Sequence, residues 1–281
     1  MHILITGSSG FLGRHILDFI KKDESNFFTK ITAVRSKDYN LEKFNDTCKM
    51  IKKNKPDFIL HLAAYSGGIL SNKSYPADYY QRNLLIINNM FFALRRNKYN
   101  LMKLFITIGG CSYPSSAVNP ISEEDMWNGY PQKESAAYSI AKKTAIVASE
   151  AYSTQFGINS QILIPGNMYG EYDNFSETHS HIIPGIIHRM YKSLNQSEFY
   201  CWGDGSPIRD FVYAGDVAKI ILKHNNDICI LFTTATLSSS KILDDHANER
   251  IIHQFLPLDV KIFVKRFIDH WSPQLSIFME S

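Results

Sequence analysis

Met1-His2-Ile3-Leu4-Ile5-Thr6-Gly7-Ser8-Ser9-Gly10-Phe11-Leu12-Gly13 opens the chain. Its first six residues form an apolar run of strand length, stopped by a turn signal. Across residues 11–22 the apolar side chains Phe11, Leu12, Ile16, Leu17 and Ile20 recur at helical spacing. A strand that passes through a glycine turn into a helix presents backbone N–H groups and a helix N-terminus to an anion. Gly7 and Gly10 suit a tight turn and the close approach of a pyrophosphate, and Gly13 suits close helix packing. The spacing is Gly-x-x-Gly-x-x-Gly rather than Gly-x-Gly-x-x-Gly, and a turn without a ligand would use the same glycines.

Working outward, strand and helix patterns alternate. Strands are predicted at residues 30–34, 57–62, 101–108 and 160–164, and helices at 40–53, 79–97 and 138–156. Alternation of this kind, with right-handed crossovers, builds an α/β fold: a Rossmann-like doubly wound parallel sheet with its ligand site at the carboxyl ends of the strands. The sequence shows neither an internal repeat nor a low-complexity linker.

Composition narrows the function classes. The 281 residues carry a net charge of +3, which gives no argument for a nucleic-acid partner. No apolar run is long enough to span a bilayer, and the N-terminus reads as a strand rather than a signal peptide, so the expectation is a cytoplasmic protein without a membrane partner. Cys48, Cys111, Cys201 and Cys229 are scattered without Cys-x-x-Cys spacing, and no metal site is expected.

Two further features concern chemistry. Tyr138 and Lys142, in Tyr-Ser-Ile-Ala-Lys, fall on one face of the predicted helix. A cation and a positively charged nicotinamide near the phenol would lower its pKa and make it a usable acid/base. The same spacing also describes an ordinary exposed helix pair. At the end of the second strand, where an acidic residue would bind the ribose of NAD, stands Arg35-Ser36-Lys37, with Asp38 three residues late. A basic turn there favours NADP, although it is also a common solvated loop, and Asn40-Leu41 is placed to contact the adenine.

With these residues in view the chain resembles the extended short-chain dehydrogenase/reductases, the NAD-dependent epimerase/dehydratase family, and within them the GDP-L-fucose synthase group. The resemblance is carried by Ala63-Ala64-Tyr65-Ser66-Gly67-Gly68-Ile69, Cys111-Ser112-Tyr113-Pro114, Trp127-Asn128-Gly129-Tyr130-Pro131, Tyr138/Lys142 and Pro165-Gly166-Asn167-Met168-Tyr169-Gly170. Asp173-Asn174-Phe175, Ser180-His181-Ile182-Ile183-Pro184, Trp202-Gly203 and Arg209-Asp210-Phe211 continue it.

The resemblance implies an NADP-dependent epimerase/reductase acting on a GDP-linked 4-keto-6-deoxyhexose or a close analogue. It assigns Tyr138 as acid with Lys142 as electrostatic support, and Cys111 and His181 as the groups that move protons beside the ketone. Read alone, Cys111 is a small buried hydrophobe and His181 a surface or capping residue. Besides the glycines, Phe11, Leu12 and Arg35, it places Leu62, Ala63, Ala64, Pro165, Asn167, Met168 and His181 at the cofactor. Asn167, Arg189, Trp202 and Arg209 fall at the sugar nucleotide, where guanidinium groups suit diphosphate oxygens. It further implies a nucleotide-binding domain over residues 1–166, with about 206–235 returning to it, and a substrate lobe from 167–205 and 236–281. The helices at 79–97 and 138–156 are those that pair across a homodimer.

Two departures stand out. The family's catalytic Ser or Thr is here Gly109, which has no hydroxyl; Thr107 and Ser112 are the nearest substitutes in sequence. Beyond Ala218, the stretch 227–281 matches only vaguely and reads as short or divergent, although residues 229–234 suit a strand and residues 260–268 have a helical apolar spacing. Two alternatives therefore stay open: another nucleotide-sugar epimerase or dehydratase that retains its cofactor, and a catalytically impaired nucleotide-binding paralogue.

Overall fold

The computed structural model describes residues 1–23, 27–99, 101–118, 120–176, 180–195, 198, 209–222, 230–234 and 251–255. The opening apolar run is an interior strand, second from the edge, of a five-stranded parallel sheet. β1 (His2–Thr6) leads through the glycine turn into α1 (Phe11–Lys22), then β2 (Lys30–Val34), α2 (Phe44–Asn54) and β3 (Phe58–His61). After α3 (Ile69–Ser74) and α4 (Pro76–Asn97) come β4 (Lys103–Thr107), α5 (Ala136–Phe156) and β5 (Ser160–Leu163). The strand order is β2-β1-β3-β4-β5, with Ile3 opposite Ile31 on one side and Phe58 on the other.

Successive side chains point to opposite faces of the sheet. Leu4, Ile59, Leu104 and Ile106 enter one core with Met50, Ile51, Ile87, Phe91 and Ala145 from α2, α4 and α5. Ile3, Ile5, Phe58 and Leu60 enter the other with Leu12 and Ile16 of α1 and Val217 and Ala218 of a later helix. Both faces are covered, which is why the strands read as continuous apolar runs rather than alternating ones. Each fully buried Leu or Ile contributes about 1.5–3 kcal/mol.

The boundaries have local causes. The helix predicted from residue 40 starts at Phe44, because the Asn40 side chain accepts the Glu42 N–H at 3.0 Å and its carbonyl the Lys43 N–H at 2.9 Å, holding a turn. α4 begins at Pro76, earlier than predicted, with proline at the first helical position where no N–H is needed. α5 ends at Gly157, whose φ is 66°.

From β1 the chain pairs first with β2 and then returns to place β3 on the other side, so the crevice between the carboxyl ends of β1 and β3 is a topological switch point. Beyond β5, a two-stranded parallel pair of β6 (Asn167–Tyr169) and β7 (Phe211–Tyr213) brackets α6 (Ile182–Lys192), and α7 (Ala214–Leu222) lies against α1. Residues His224–Ser281 form a separate unit. In it β8 (Ile230–Thr234), where a strand is predicted at 229–234, pairs in parallel with β9 (Ile251–Phe255). The helical pattern at 260–268 lies outside the described residues.

Candidate active site

A cavity of about 1270 Å³ opens at the carboxyl ends of the strands, in the first unit. Its floor is the glycine turn. Gly7 has a φ of 69°, and a β-carbon there would sit 2.8 Å from the Ala63 nitrogen. A β-carbon on Gly13 would collide with the Gly7 carbonyl and come within 2.7 Å of Ser8 Cα, so the third glycine packs against the turn itself. Gly10 N–H donates to Gly7 O at 2.9 Å and α1 starts at once, leaving its first N–H groups toward the cavity that Phe11 and Leu12 also line. Such a cradle, filled by any β-carbon and capped by a helix N-terminus, fits a dinucleotide pyrophosphate.

The wall beside β2 carries Arg35, Asn40 and Leu41. Asp38 changes the meaning of Arg35. Its carboxylate accepts the Arg35 backbone N–H at 3.0 Å and the guanidinium Nε at 3.1 Å. The late acid thus folds back and engages the base. Across the cavity mouth Arg82, whose guanidinium lies 3.9 Å over the Tyr65 ring, donates to Glu42 at 2.7 Å; the sequence reading missed this pair.

Leu62, Ala63 and Ala64 leave β3 along the same cavity. Beneath them His61 is fully buried, its Nδ1 2.8 Å from Thr6 Oγ1, and its Nε2 has no partner among the described residues. Thr6 Oγ1 also accepts the Ala63 N–H at 3.3 Å. Burial, and then the charge of nearby Lys142, push the His61 pKa down to about 3. A histidine inside an apolar strand gave no signal beyond an ordinary core residue.

Tyr138 and Lys142 occupy the first turns of α5 and line the cavity. Lys142 is 1% exposed, and burial lowers its pKa to about 8. Burial first, then Cys111 and Tyr79, raise the Tyr138 pKa. A raised pKa keeps the proton in place for a group that must donate it. The Tyr79 and Tyr138 rings meet nearly at right angles, 6.2 Å apart between centroids.

Cys111 lies in a 3-10 turn, Gly110–Ser112, whose Cys111 carbonyl accepts the Ser139 hydroxyl at 3.0 Å. Its accessible surface opens into the cavity, while enclosure by protein raises the thiol pKa. Of the two substitutes for the missing hydroxyl, Thr107 lines the cavity; Ser112 is fully buried away from it, with no partner for its Oγ among the described residues. Gly109 itself has φ −86° and ψ 147°, a conformation open to any residue.

From the other side come Pro165, Asn167, Met168, His181, Arg189 and Arg209. Asn167 is held by its side-chain amide, which donates to Asp210 O at 2.9 Å. His181 caps the start of α6 and pairs with Asp173, a residue the sequence reading gave no role, at 3.3 Å. Trp202 lies outside the described residues. The described residues hold no cluster of three potential metal ligands and no helix long and apolar enough to cross a membrane.

Comparison with known proteins follows the same lines. Residues 3–227 match the model of the NAD dependent epimerase/dehydratase family. Residues 210–281 match a second model, that of 3-deoxy-D-manno-octulosonic-acid transferase (kdotransferase). GDP-L-fucose synthase of Dictyostelium discoideum is 33% identical over 219 residues, 77% of this chain and 67% of that protein. GDP-L-colitose synthase of Yersinia pseudotuberculosis is 32% identical over 79% of this chain and 71% of its own length. A GDP-L-fucose synthetase of Naegleria fowleri, solved bound to NADP, superposes with a TM-score of 0.70 at 24% identity, covering 96% of this chain and 95% of that one. The chain thus spans about two thirds of the length of these curated relatives. By the extent of the family match, its glycine turn and its Tyr138/Lys142 pair, the chain belongs to the NAD dependent epimerase/dehydratase family of extended short-chain dehydrogenases/reductases.

Proposed function

We propose that the protein is an NADP-dependent epimerase/reductase of a GDP-linked 4-keto-6-deoxyhexose. The observation that supports this most is the convergence of Cys111, Tyr138, Lys142 and His181 on the cavity that the glycine turn opens. Reduced nicotinamide supplies a hydride when bound. Tyr138 holds the proton for the C4 oxygen, and the Lys142 ammonium stabilises negative charge developing there. Cys111 and His181 remove a proton from each carbon beside the ketone, leaving an enolate, and return one on the other face, so each carbon regains the hydrogen it lost. Arg189 and Arg209 offer guanidinium forks to the diphosphate, and Arg35 offers one to a ribose phosphate. In this reading residues 1–166 and the α7 segment carry the cofactor, and residues 167–205 the substrate.

Freshly made GDP-4-keto-6-deoxymannose, incubated with the full chain and NADPH, should bring loss of NADPH absorbance in step with product. Product without net NADPH loss would point to a retained-cofactor epimerase. Gly109 supports a second reading, a nucleotide binder without catalysis; NADPH binding with neither oxidation nor solvent-deuterium exchange would select it.

A further inference from the structure

The loop after β6 is fastened to α1. Tyr172 donates to Asp18 Oδ2 at 2.7 Å, and the Arg14 guanidinium lies 3.8 Å over its ring. His15 Nε2 donates to the Glu171 carbonyl at 2.8 Å, and Tyr213 donates to the Glu171 carboxylate at 2.7 Å. These contacts hold Tyr172 at φ 72°, a left-handed conformation that costs a bulky residue about 1–3 kcal/mol.

The turn so made carries Asp173 inward. Its side chain is 3% exposed, Oδ1 accepts the Asn174 N–H at 2.7 Å, and Oδ1 lies 3.3 Å from His181 Nδ1. Oδ2 has no partner among the described residues. A carboxylate so far out of water needs donors, and an ionised carboxylate can only accept. His181 Nδ1 is therefore the donor, which leaves the lone pair on Nε2.

Resting on the epimerase reading above, we propose that Asp173 is a positioning residue for His181: it fixes the ring and its tautomer, makes Nε2 the atom that exchanges protons with substrate, and is itself fixed by the Tyr172 clamp on α1. α1 is also the helix whose N-terminus opens on the cavity at the glycine turn, so the clamp ties the proton-moving group to the helix that would meet a pyrophosphate there.

Nitrogen-15 NMR of the histidine-labelled full chain, with the His181 resonance assigned from His181→Gln, reads the tautomer without substrate at about pH 8, where a free imidazole is neutral. The expected result is a hydrogen on Nδ1 in wild type and a mixture in Asp173→Asn. A hydrogen on Nε2 in wild type, or no change in Asp173→Asn, overturns the proposal, and the wild-type spectrum decides even if the variant fails to fold. With substrate, Asp173→Asn should slow deuterium incorporation at C3 and C5 by about tenfold or more, with NADPH affinity unchanged and partial recovery in Asp173→Glu. Unchanged incorporation in Asp173→Asn also overturns it. Absence of exchange in wild type refutes the epimerase reading and with it the link to substrate.

Discussion

A β-carbon built on Gly109 lies 3.5 Å from Tyr138 Cε1 and 3.8 Å from the Tyr138 hydroxyl. The nearest atom, Cys111 Sγ at 3.1 Å, ends a side chain that can turn aside, and the backbone there is unstrained for any residue. Gly109→Ser should therefore set a hydroxyl beside the phenol and raise turnover of the GDP-keto sugar by roughly tenfold to a hundredfold, the worth of one preorganised donor. NADPH affinity should stay as it was. A variant that folds, binds NADPH and turns over no faster would show that the protein has no use for the missing group.

Tyr138→Phe and the Cys111 and His181 variants should separate two chemistries. Without the phenol, NADPH oxidation should stop while deuterium still enters C3 and C5. Cys111→Ser or His181→Gln should impair deuterium incorporation at C3 and C5 more than either weakens NADPH binding. Mass spectrometry of the recovered sugar and absorbance of the cofactor report the two outcomes.

Because Asp38 occupies Arg35, a 2′-phosphate must compete with a carboxylate for the guanidinium. Asp38→Asn should tighten NADPH by about threefold to tenfold and leave NADH nearly unchanged, a charge-assisted bond being regained. Arg35→Ala should remove most of the NADPH preference. Fluorescence titration with both cofactors checks each, and weaker NADPH binding in Asp38→Asn would contradict the competition.

His61 should mark the acid limb of stability. Its folded pKa, about 3, lies below the ordinary 6.5. The unfolded chain then binds the extra proton between these values, so the contribution is complete above pH 6.5 and fades as pH falls toward 3. Between pH 6.5 and about 4.5 the loss from this group should be about 2 kcal/mol, and it should be absent in His61→Gln. Urea unfolding at the two pH values measures it.

Leu85, Phe92 and Val147 remain 38%, 45% and 53% exposed on α4 and α5, although both helices already cover the sheet. A symmetric homodimer through these helices is the expected state, measured as twice the chain mass by light scattering at micromolar concentration. Phe92→Glu with Val147→Glu should yield monomer. A wild-type monomer under those conditions would leave the two faces without this use.

What the sequence showed most clearly was whatever repeats a period. α1 and β2 fall where the spacing of apolar residues puts them, and both cores follow from strands too apolar to face water on either side. The glycine turn was legible because its geometry excludes side chains, as Gly7 and Gly13 show. The pairing of charges was not. Asp38 on Arg35, Glu42 on Arg82 and Asp173 on His181 depend on how a turn folds back or on which loops meet, and no periodicity encodes that. The depth of the Tyr138/Lys142 pair was not legible for a related reason: a four-residue spacing shows a lysine nearby but not how little water reaches the two groups.

The interior place of β1, with a neighbour on each side, bears on how the molecule is assembled. Residues 2–6 are made before both of their neighbours, which lie at residues 30–34 and 58–61, and the edge strand β5 ends at Leu163. A ribosome adding about 5–20 residues per second leaves Ile3-Leu4-Ile5 without both neighbours for seconds. Every pairing spans a crossover, which makes such sheets slow to close and exposes apolar strand to association meanwhile. Yield of active protein should therefore respond to growth temperature and chaperone supply more than to changes on the finished surface.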